Sequence, residues 1–214
     1  MMSQRIGRTG FDARFAADSD PWGTFVHRDE ARKRRAILCA LGAGLQGRVL
    51  ELGCGNGSNS IALARRAWTL DACDAAPSAV RLTAAALADQ PRASVYCRVL
   101  PGRFPRARYD AVVIAELLYY LRPYAMQRLA ADVGRALTPG GRLVLAHHHV
   151  DFHDTAQTSR AIHRRFIAHT GRSWHPRFQH QNRRWTVESG RLVSPALPAR
   201  DRSRTPPRYT SRRP

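Results

Sequence analysis

Apolar and polar positions along this chain fall into blocks whose period switches between that of a strand and that of a helix. Over 109–115, Tyr-Asp-Ala-Val-Val-Ile-Ala is an almost unbroken apolar run, as expected of a strand buried on both faces of a parallel sheet. Related runs lie at 48–52, 68–74, 94–100 and 142–146. Helix-length stretches separate them. In 28–41, Ala31, Ile37, Leu38 and Leu41 keep helical spacing up to Gly42; others are 58–67, 77–89 opening on Pro77, and 123–137 closing at Thr138-Pro-Gly-Gly141. Proline in a first turn and glycine past a last one are the punctuation such helices use. Further on, the pattern predicts a helix near 155–169 and two strands, 173–180 and 183–192, able to pair as a hairpin. Strands alternating with helices predict a doubly wound α/β sheet.

The sharpest break in the pattern follows the first strand. Arg48-Val-Leu-Glu-Leu-Gly-Cys-Gly-Asn-Gly57 is a short apolar strand with an acid near its end, then glycine at every second position. Gly53, Gly55 and Gly57 can take positive φ and have no Cβ, so a ligand can lie against the main chain. The helix that follows aims its free N–H groups at the same place. The dinucleotide fingerprint is G-x-G-x-x-G, whereas the spacing here is G-x-G-x-G, with Ser58 where that fingerprint needs its third glycine. Glu51 would repel a pyrophosphate there but could accept hydrogen bonds from an ammonium group. Asp74 ends the next strand, 21 residues beyond Gly53, near the ~20-residue spacing of an acid that bonds ribose hydroxyls. It could also cap the helix opening at Pro77, and one carboxylate can do both.

These residues resemble motif I of the class I S-adenosylmethionine-dependent methyltransferases. Tyr109-Asp-Ala-Val-Val-Ile-Ala-Glu-Leu-Leu-Tyr-Tyr-Leu121 resembles the fourth-strand motif of the small-molecule members. With Asp20-Pro-Trp22 and Glu30-Ala-Arg-Lys-Arg34, the chain looks most like the NodS group, the N-methyltransferases of nodulation-factor synthesis, over about 20–188. The resemblance implies a Rossmann-like, doubly wound, seven-stranded and mostly parallel sheet whose last strands form an antiparallel hairpin. It implies S-adenosyl-L-methionine as cofactor and a hydroxylated or amino-sugar-like acceptor. The pocket it implies contains Glu51, Gly53, Cys54, Gly55, Gly57, Asp74 and Ala75, with Leu100, Ala115 and Trp22 around them. One feature departs from the family: the acid that often follows the third strand is absent from Arg98-Val-Leu-Pro-Gly-Arg103. Adenine is left to backbone groups near Leu100 or to stacking.

Methyl transfer from a sulfonium asks mainly for alignment, and an amine acceptor must also be neutral. Glu116, just past the fourth strand, is the first candidate for gripping or deprotonating the acceptor; otherwise it is a helix-start acid meeting the dipole. Tyr119 and Tyr120 are adjacent, so a helix would send one to the cleft; Tyr119 is expected there and Tyr120 in the core. His147, His148 and His149 follow the fifth strand, and alternation puts His147 and His149 on one side with His153 nearby. No carboxylate or cysteine completes a metal set, so no metal is expected and His147 is the candidate base. Trp22 either folds over the cofactor or pins the N-terminal segment to the core.

Composition adds a strong charge. The formal net charge is +19, and Lys33 is the single lysine. Residues 160–184 hold seven arginines, four histidines and no acid, which is either a solvated basic face or a surface for an anionic substrate, nucleic acid or lipid headgroups. A nucleic-acid methyltransferase and a non-catalytic polyanion-binding protein therefore stand as alternatives. Against the first, there is no Asn/Asp-Pro-Pro-Tyr motif and no Pro-Cys pair. No apolar run approaches the ~18 residues of a membrane span, and 1–10 lacks a signal-type apolar segment. A cytoplasmic protein with Cys39, Cys54, Cys73 and Cys97 reduced and mostly buried is expected. The chain divides into an arm or lid (1–24), a methyltransferase domain (25–193) and an Arg/Pro-rich, disordered tail (194–214). A protein ending at Ser194 is accordingly expected to keep its melting temperature and cofactor affinity; a drop of more than a few degrees in a thermal melt would show that the tail docks.

Overall fold

A computed structural model describes residues 6–149 and 153–193 of the chain, so the expected tail lies outside the described residues. The elements run α1 (Arg8–Ala17), α2 (Arg28–Leu41), β1 (Gln46–Leu52), α3 (Ser58–Ala64), β2 (Ala67–Asp74), α4 (Pro77–Ala86) and β3 (Ala93–Cys97). They continue as β4 (Tyr109–Ala115), a single 3-10 turn (Leu118–Tyr120), α5 (Pro123–Ala136), β5 (Leu137–His148), α6 (Ile162–Ala168), β6 (Ser173–Gln181) and β7 (Trp185–Val193). One seven-stranded sheet has the order β3-β2-β1-β4-β5-β7-β6. Strands β1 to β5 pair in parallel, while β7 runs antiparallel to both β5 and β6. The Rossmann-like doubly wound sheet with a terminal antiparallel hairpin is what the sequence led one to expect.

The apolar run in β4 has a plain cause. Val112 and Ile114 pack with Met126, Leu129 and Val133 of α5 and Phe166 of α6. Ala111 and Val113 face the other way, against Ile37, Ala40 and Leu41 of α2 and Leu63 of α3. Strand β5 splits likewise, Leu143 and Leu145 to one layer and Val144 and Ala146 to the other. Both faces need apolar side chains, so the period-2 signal vanishes.

Three elements differ from the sequence reading. Helix α1 is absent from it, because only Phe11 and Phe15 mark its inner face. Strand β5 starts at Leu137, which pairs with Tyr109, but Ala111 already pairs with Arg142, so Thr138-Pro-Gly-Gly141 bulges out of the ladder, with Gly140 at φ 70°, before the regular pairing begins. The helix expected near 155–169 shortens to α6. Ala161 adopts φ 53°, and the preceding residues spend their bonds elsewhere, Gln157 Nε2 on the Leu121 carbonyl at 2.8 Å and Ser159 Oγ on the His149 carbonyl at 2.9 Å. Cys54 and Cys73 are buried, but Cys39 and Cys97 are exposed. No helix among the described residues is long and apolar enough to cross a membrane.

Helix α5 rests closely on the loop after α6: a Cβ built on Gly134 would lie 2.0 Å from the Thr170 carbonyl oxygen. Gly134→Ala is expected to lower stability by about 1–3 kcal/mol, the usual cost of forcing atoms into a packed interior. Urea titration checks it, and an unchanged midpoint would mean that the loop moves freely aside.

Candidate active site

The strand order reverses between β1 and β4, and in an open α/β sheet that reversal leaves a crevice at the carboxyl ends of the strands. A cavity of about 940 Å³ opens there. Its walls include Gly53, Cys54 and Gly55 after β1, Asp74 and Ala75 after β2, Leu100 after β3 and Ala115 at the end of β4. The N-terminal arm and the start of α2 close the remaining sides.

The loop after β1 is held by its backbone. Gly53 and Gly55 have φ of 77° and 57°, a region open to glycine at no steric cost. The N–H groups of Gly53 and Cys54 both donate to the Cys73 carbonyl, at 2.8 and 3.0 Å. The Gly55 N–H donates to Asp74 Oδ2 at 3.0 Å, the Ala76 N–H donates to Asp74 Oδ1 at 2.9 Å, and the Thr83 hydroxyl donates to the Gly55 carbonyl at 2.8 Å. Asp74 thus ties the first and second βα turns together. Burial pushes its carboxyl above the ordinary range against the pull of those amides. Two carboxylate oxygens offer about four lone-pair sites, so acceptor capacity remains on the cavity side. Burial likewise pushes the Cys54 thiol well up.

Two members of the expected pocket stand elsewhere. Gly57 (φ 85°) is the N-cap of α3, and a Cβ there would meet Thr83 Cα at 3.1 Å and Ala86 Cβ at 3.2 Å. Its lack of a side chain serves the packing of α3 on α4, and it is not part of the cavity wall. Glu51 lies beneath the loop, 1 % exposed, and accepts a hydrogen bond from the Ser60 hydroxyl. Burial, with Asp74 nearby, pushes its carboxyl up to about 8. At neutral pH it is mostly the uncharged acid and is not an open seat for an ammonium group.

The arm covers the loop. Phe15 Cζ lies 3.4 Å from where a Gly55 Cβ would stand. Trp22 lines the cavity and packs against Phe15 and Phe11, with ring centroids 5.2 and 6.0 Å apart. Asp20 fixes that corner: Oδ1 accepts from the Asn56 amide at 2.9 Å and from the Thr24 N–H at 2.7 Å, and Oδ2 from the Phe25 N–H at 3.0 Å. Asn56 belongs to the glycine loop, so Asp20-Pro-Trp22 is bonded directly to it. Burial alone would raise the Asp20 carboxyl, but these bonds outweigh it and hold it below the ordinary value.

The same cavity is lined by a cluster of charges. Lys33 is 2 % exposed, and its ammonium donates to Glu116 Oε1 at 2.7 Å and Glu30 Oε1 at 2.8 Å. His148 Nδ1 lies 2.9 Å from Glu116 Oε1 and 3.3 Å from Lys33 Nζ. The Tyr119 hydroxyl donates to Glu116 Oε2 through a short bond. Burial would raise the Glu116 carboxyl, but Lys33 and His148 win and hold it well below the usual carboxylate range. Glu116 also adopts φ 54°, a conformation that costs a non-glycine residue of order 1–3 kcal/mol and persists only where neighbours enforce it. An ionised Glu116 is a poor proton acceptor and a good hydrogen-bond acceptor.

The histidines alternate as expected, but it is His148, not His147 and His149, whose side faces the cleft. His147 is 2 % exposed and outside this cavity, while His148 lines it. Alternation gives the face of a strand, but at its end the neighbouring turn decides which side is open. Tyr120 also lines the cavity beside Tyr119, because 118–120 form one 3-10 turn that fans both rings toward it; Phe11 meets Tyr120 edge-on at 4.8 Å. The sequence pattern does not by itself mark Lys33, Glu30 and His148 as site residues; its two signals are a lone lysine in an arginine-rich chain and an acid three positions before it, which places both on one helix face.

Residues 49–141 match the methyltransferase domain family. A Pseudomonas syringae crystal structure assigned to the methyltransferases is 31% identical, with a TM-score of 0.68, covering 77% of this chain and 99% of that one. The chain belongs to the class I S-adenosylmethionine-dependent methyltransferases. Within that class it is similar to nodulation protein S of Rhizobium tropici, 34% identical over 132 residues that cover 60% of this chain and 55% of that protein. The N-methyltransferase NodS from Bradyrhizobium japonicum, solved with S-adenosyl-L-homocysteine, shares the fold at TM-score 0.75 and 21% identity, covering 86% of this chain and 97% of that one. The chain spans little more than half the length of the curated relatives it matches, 55% and 59%. S-adenosylmethionine is the cofactor of this class, and the cavity suits it: glycine backbone free of Cβ, a carboxylate with spare acceptors at a strand tip, and apolar walls from Ala75 and Leu100.

Glu51 gives a pH dependence with a definite sign. Its folded value of about 8 lies above the ordinary 4.5, so between those values the folded state holds a proton that the unfolded chain has lost. Stability from this group is complete below about pH 4.5 and is lost as pH rises through about 8, with a slope of up to about 1.4 kcal/mol per pH unit. Denaturant titrations across that window should show the decline, and Glu51→Gln, which keeps the Ser60 bond, should flatten it. A wild-type slope that Glu51→Gln leaves unaltered would assign it to another group.

Proposed function

We propose that this chain transfers the methyl group of S-adenosylmethionine to an amine or hydroxyl of a small, sugar-like or glycolipid-like acceptor. The observation that carries the reading is Glu116, held by Lys33, His148 and Tyr119 on the wall of the cavity that the glycine loop also lines. The cofactor supplies an activated methyl group on sulfur. The Gly53–Gly55 backbone and Asp74 hold its amino-acid and ribose parts, Ala75, Leu100 and Ala115 border the base, and Phe15 and Trp22 cover it as a lid. Glu116 accepts a hydrogen bond from the acceptor's N–H or O–H, which takes the place of the long 3.3 Å bond from the His148 N–H to Oε2, and turns the acceptor's lone pair toward the methyl group. It orients, since its depressed carboxyl does not take the proton. The N-methyltransferase in the name of the Bradyrhizobium relative favours an amine over a hydroxyl.

A second reading, methylation of nucleic acid, draws on Arg28, Arg32 and Arg184 around the cavity. The basic surface would bind any polyanion in a salt-dependent way, so only sequence- or structure-selective methylation supports it.

The experiment incubates purified protein with methyl-labelled cofactor and fractionated extracts and asks which fraction gains label. A small polar metabolite is expected; label in RNA or DNA at defined positions would favour the second reading. Asp74→Ala should weaken S-adenosylhomocysteine by about 1.5–3 kcal/mol, the scale of charge-assisted bonds, as measured by calorimetry. Glu116→Gln should cut turnover at least about tenfold while cofactor affinity changes little. Wild-type turnover in Glu116→Gln would move the chemistry away from this cluster.

A further inference from the structure

His147 faces away from the cleft and forms the centre of a hydrogen-bond chain whose directions follow from its ends. The Leu118 backbone N–H donates to His147 Nε2 at 3.1 Å. A peptide N–H can only donate, so Nε2 carries no proton and the neutral ring holds its proton on Nδ1. His147 Nδ1 lies 2.8 Å from His163 Nε2, so the first donates and the second accepts. The proton of His163 then sits on its Nδ1, 2.8 Å from Glu188 Oε1, and a carboxylate there can only accept. A donor that cannot accept stands at one end and an acceptor that cannot donate at the other. Between them both histidines are fixed as Nδ1–H tautomers. Charging either ring would set two N–H groups face to face. The chain crosses from β7 through α6 to the turn after β4, and its far end borders a separate cavity of about 470 Å³.

What it anchors is the turn that carries the site. Leu118 lies between Glu116, in its left-handed conformation, and Tyr119, whose hydroxyl donates to Glu116. The Glu116 N–H is tied to the Ala146 carbonyl at 2.9 Å, and the Tyr119 carbonyl accepts from the Ala156 N–H at 2.8 Å. At Leu118 itself the N–H has His147 as partner, so the ring orientation sets where that peptide lies.

We propose that His163 and Glu188 are positioning residues for methyl transfer, acting through His147 on the Leu118 peptide to hold Glu116 and Tyr119 at the cavity wall. This rests on the role given to Glu116 above. Neither residue touches the cavity that holds cofactor and acceptor. Their effect is confined to geometry, and Glu188 acts from two imidazole rings away.

The test uses the whole chain with imidazole nitrogens labelled with ¹⁵N. In the wild type, NMR should find His147 and His163 both as Nδ1–H tautomers, the form that free imidazole side chains disfavour; finding either as Nε2–H overturns the chain. Glu188→Leu removes the terminal acceptor, so His163 can take the Nε2–H form, which forces His147 to release Leu118. That variant should show a changed His147 tautomer and methyl transfer slowed about tenfold or more, the scale of a small misplacement, with S-adenosylhomocysteine affinity within about twofold. Glu188→Gln still offers an acceptor oxygen and should restore both tautomer and rate. A changed tautomer with unchanged rate overturns the positioning role, as does a Glu188→Gln variant as slow as Glu188→Leu. Wild-type protein that labels no acceptor, with both tautomers as derived, refutes the methyltransferase reading and the positioning role with it. Wrong tautomers alongside active methyl transfer refute only the chain.

Discussion

The carboxylate of Asp74 is the contact on which the site depends. It accepts one N–H from the glycine loop after β1 and one from the turn before α4. Without it, the Cys73 carbonyl would still hold the Gly53 and Cys54 N–H groups, but the Gly55 and Ala76 N–H groups would lose the carboxylate that joins them. With it, and with Thr83 on the Gly55 carbonyl, both backbone directions of Gly55 are fixed from the adjacent unit. The parallel pairing of β1 with β2 brings the two turns within reach. The aspartate converts that proximity into one rigid corner, against which Phe15 and Trp22 of the arm can pack.

Two glutamates at strand ends show how environment divides one side chain into two roles. Glu51 ends up under the loop with a hydroxyl as its hydrogen-bond donor and no cation, so burial wins and it keeps its proton. Glu116 meets an ammonium, an imidazole and a phenol, so burial loses and it stays charged. The pair follows the general pattern in which neighbouring acids with diverging pKa values mark distinct functions. An ionised Glu51 would stand close to Asp74 and repel it, so the neutral acid beneath the corner is also what lets Asp74 accept amides there.

The parallel core was legible because each central strand is covered on both faces, and no arrangement of polar residues could hide that. Motif I was legible for a related reason, since glycines at positive φ admit few substitutes. Helix α1 was not, because two phenylalanines do not make a periodic stripe and its partner surface is the start of α4 with the edge of the glycine loop, which no local pattern describes. The exchange of His147 for His148 in the cavity has a similar origin. Alternation distinguishes the two sides of β5, but which side is open depends on the 116–120 turn and on α6, both remote in sequence. Gly57 belongs to the same glycine pattern, yet its neighbour is another helix; a glycine pattern reports close approach without saying to what.

Lys33 brings the two halves of the cavity under one constraint. A buried cation needs its charge answered within hydrogen-bond reach, and Glu30 from its own helix answers only part of that demand. The remainder comes from Glu116, 83 positions along the chain, so the docking of α2 and the conformation of the turn after β4 are decided by the same bond. Every other basic residue in the chain is arginine or histidine, yet a planar guanidinium could not converge on two carboxylate oxygens and an imidazole from a single point as an ammonium does. The strained backbone at Glu116 is then tolerable: what the left-handed conformation costs is offset by an ion pair that forms only when the carboxylate points at α2. The same pair leaves Glu116 charged at the wall that an acceptor must meet.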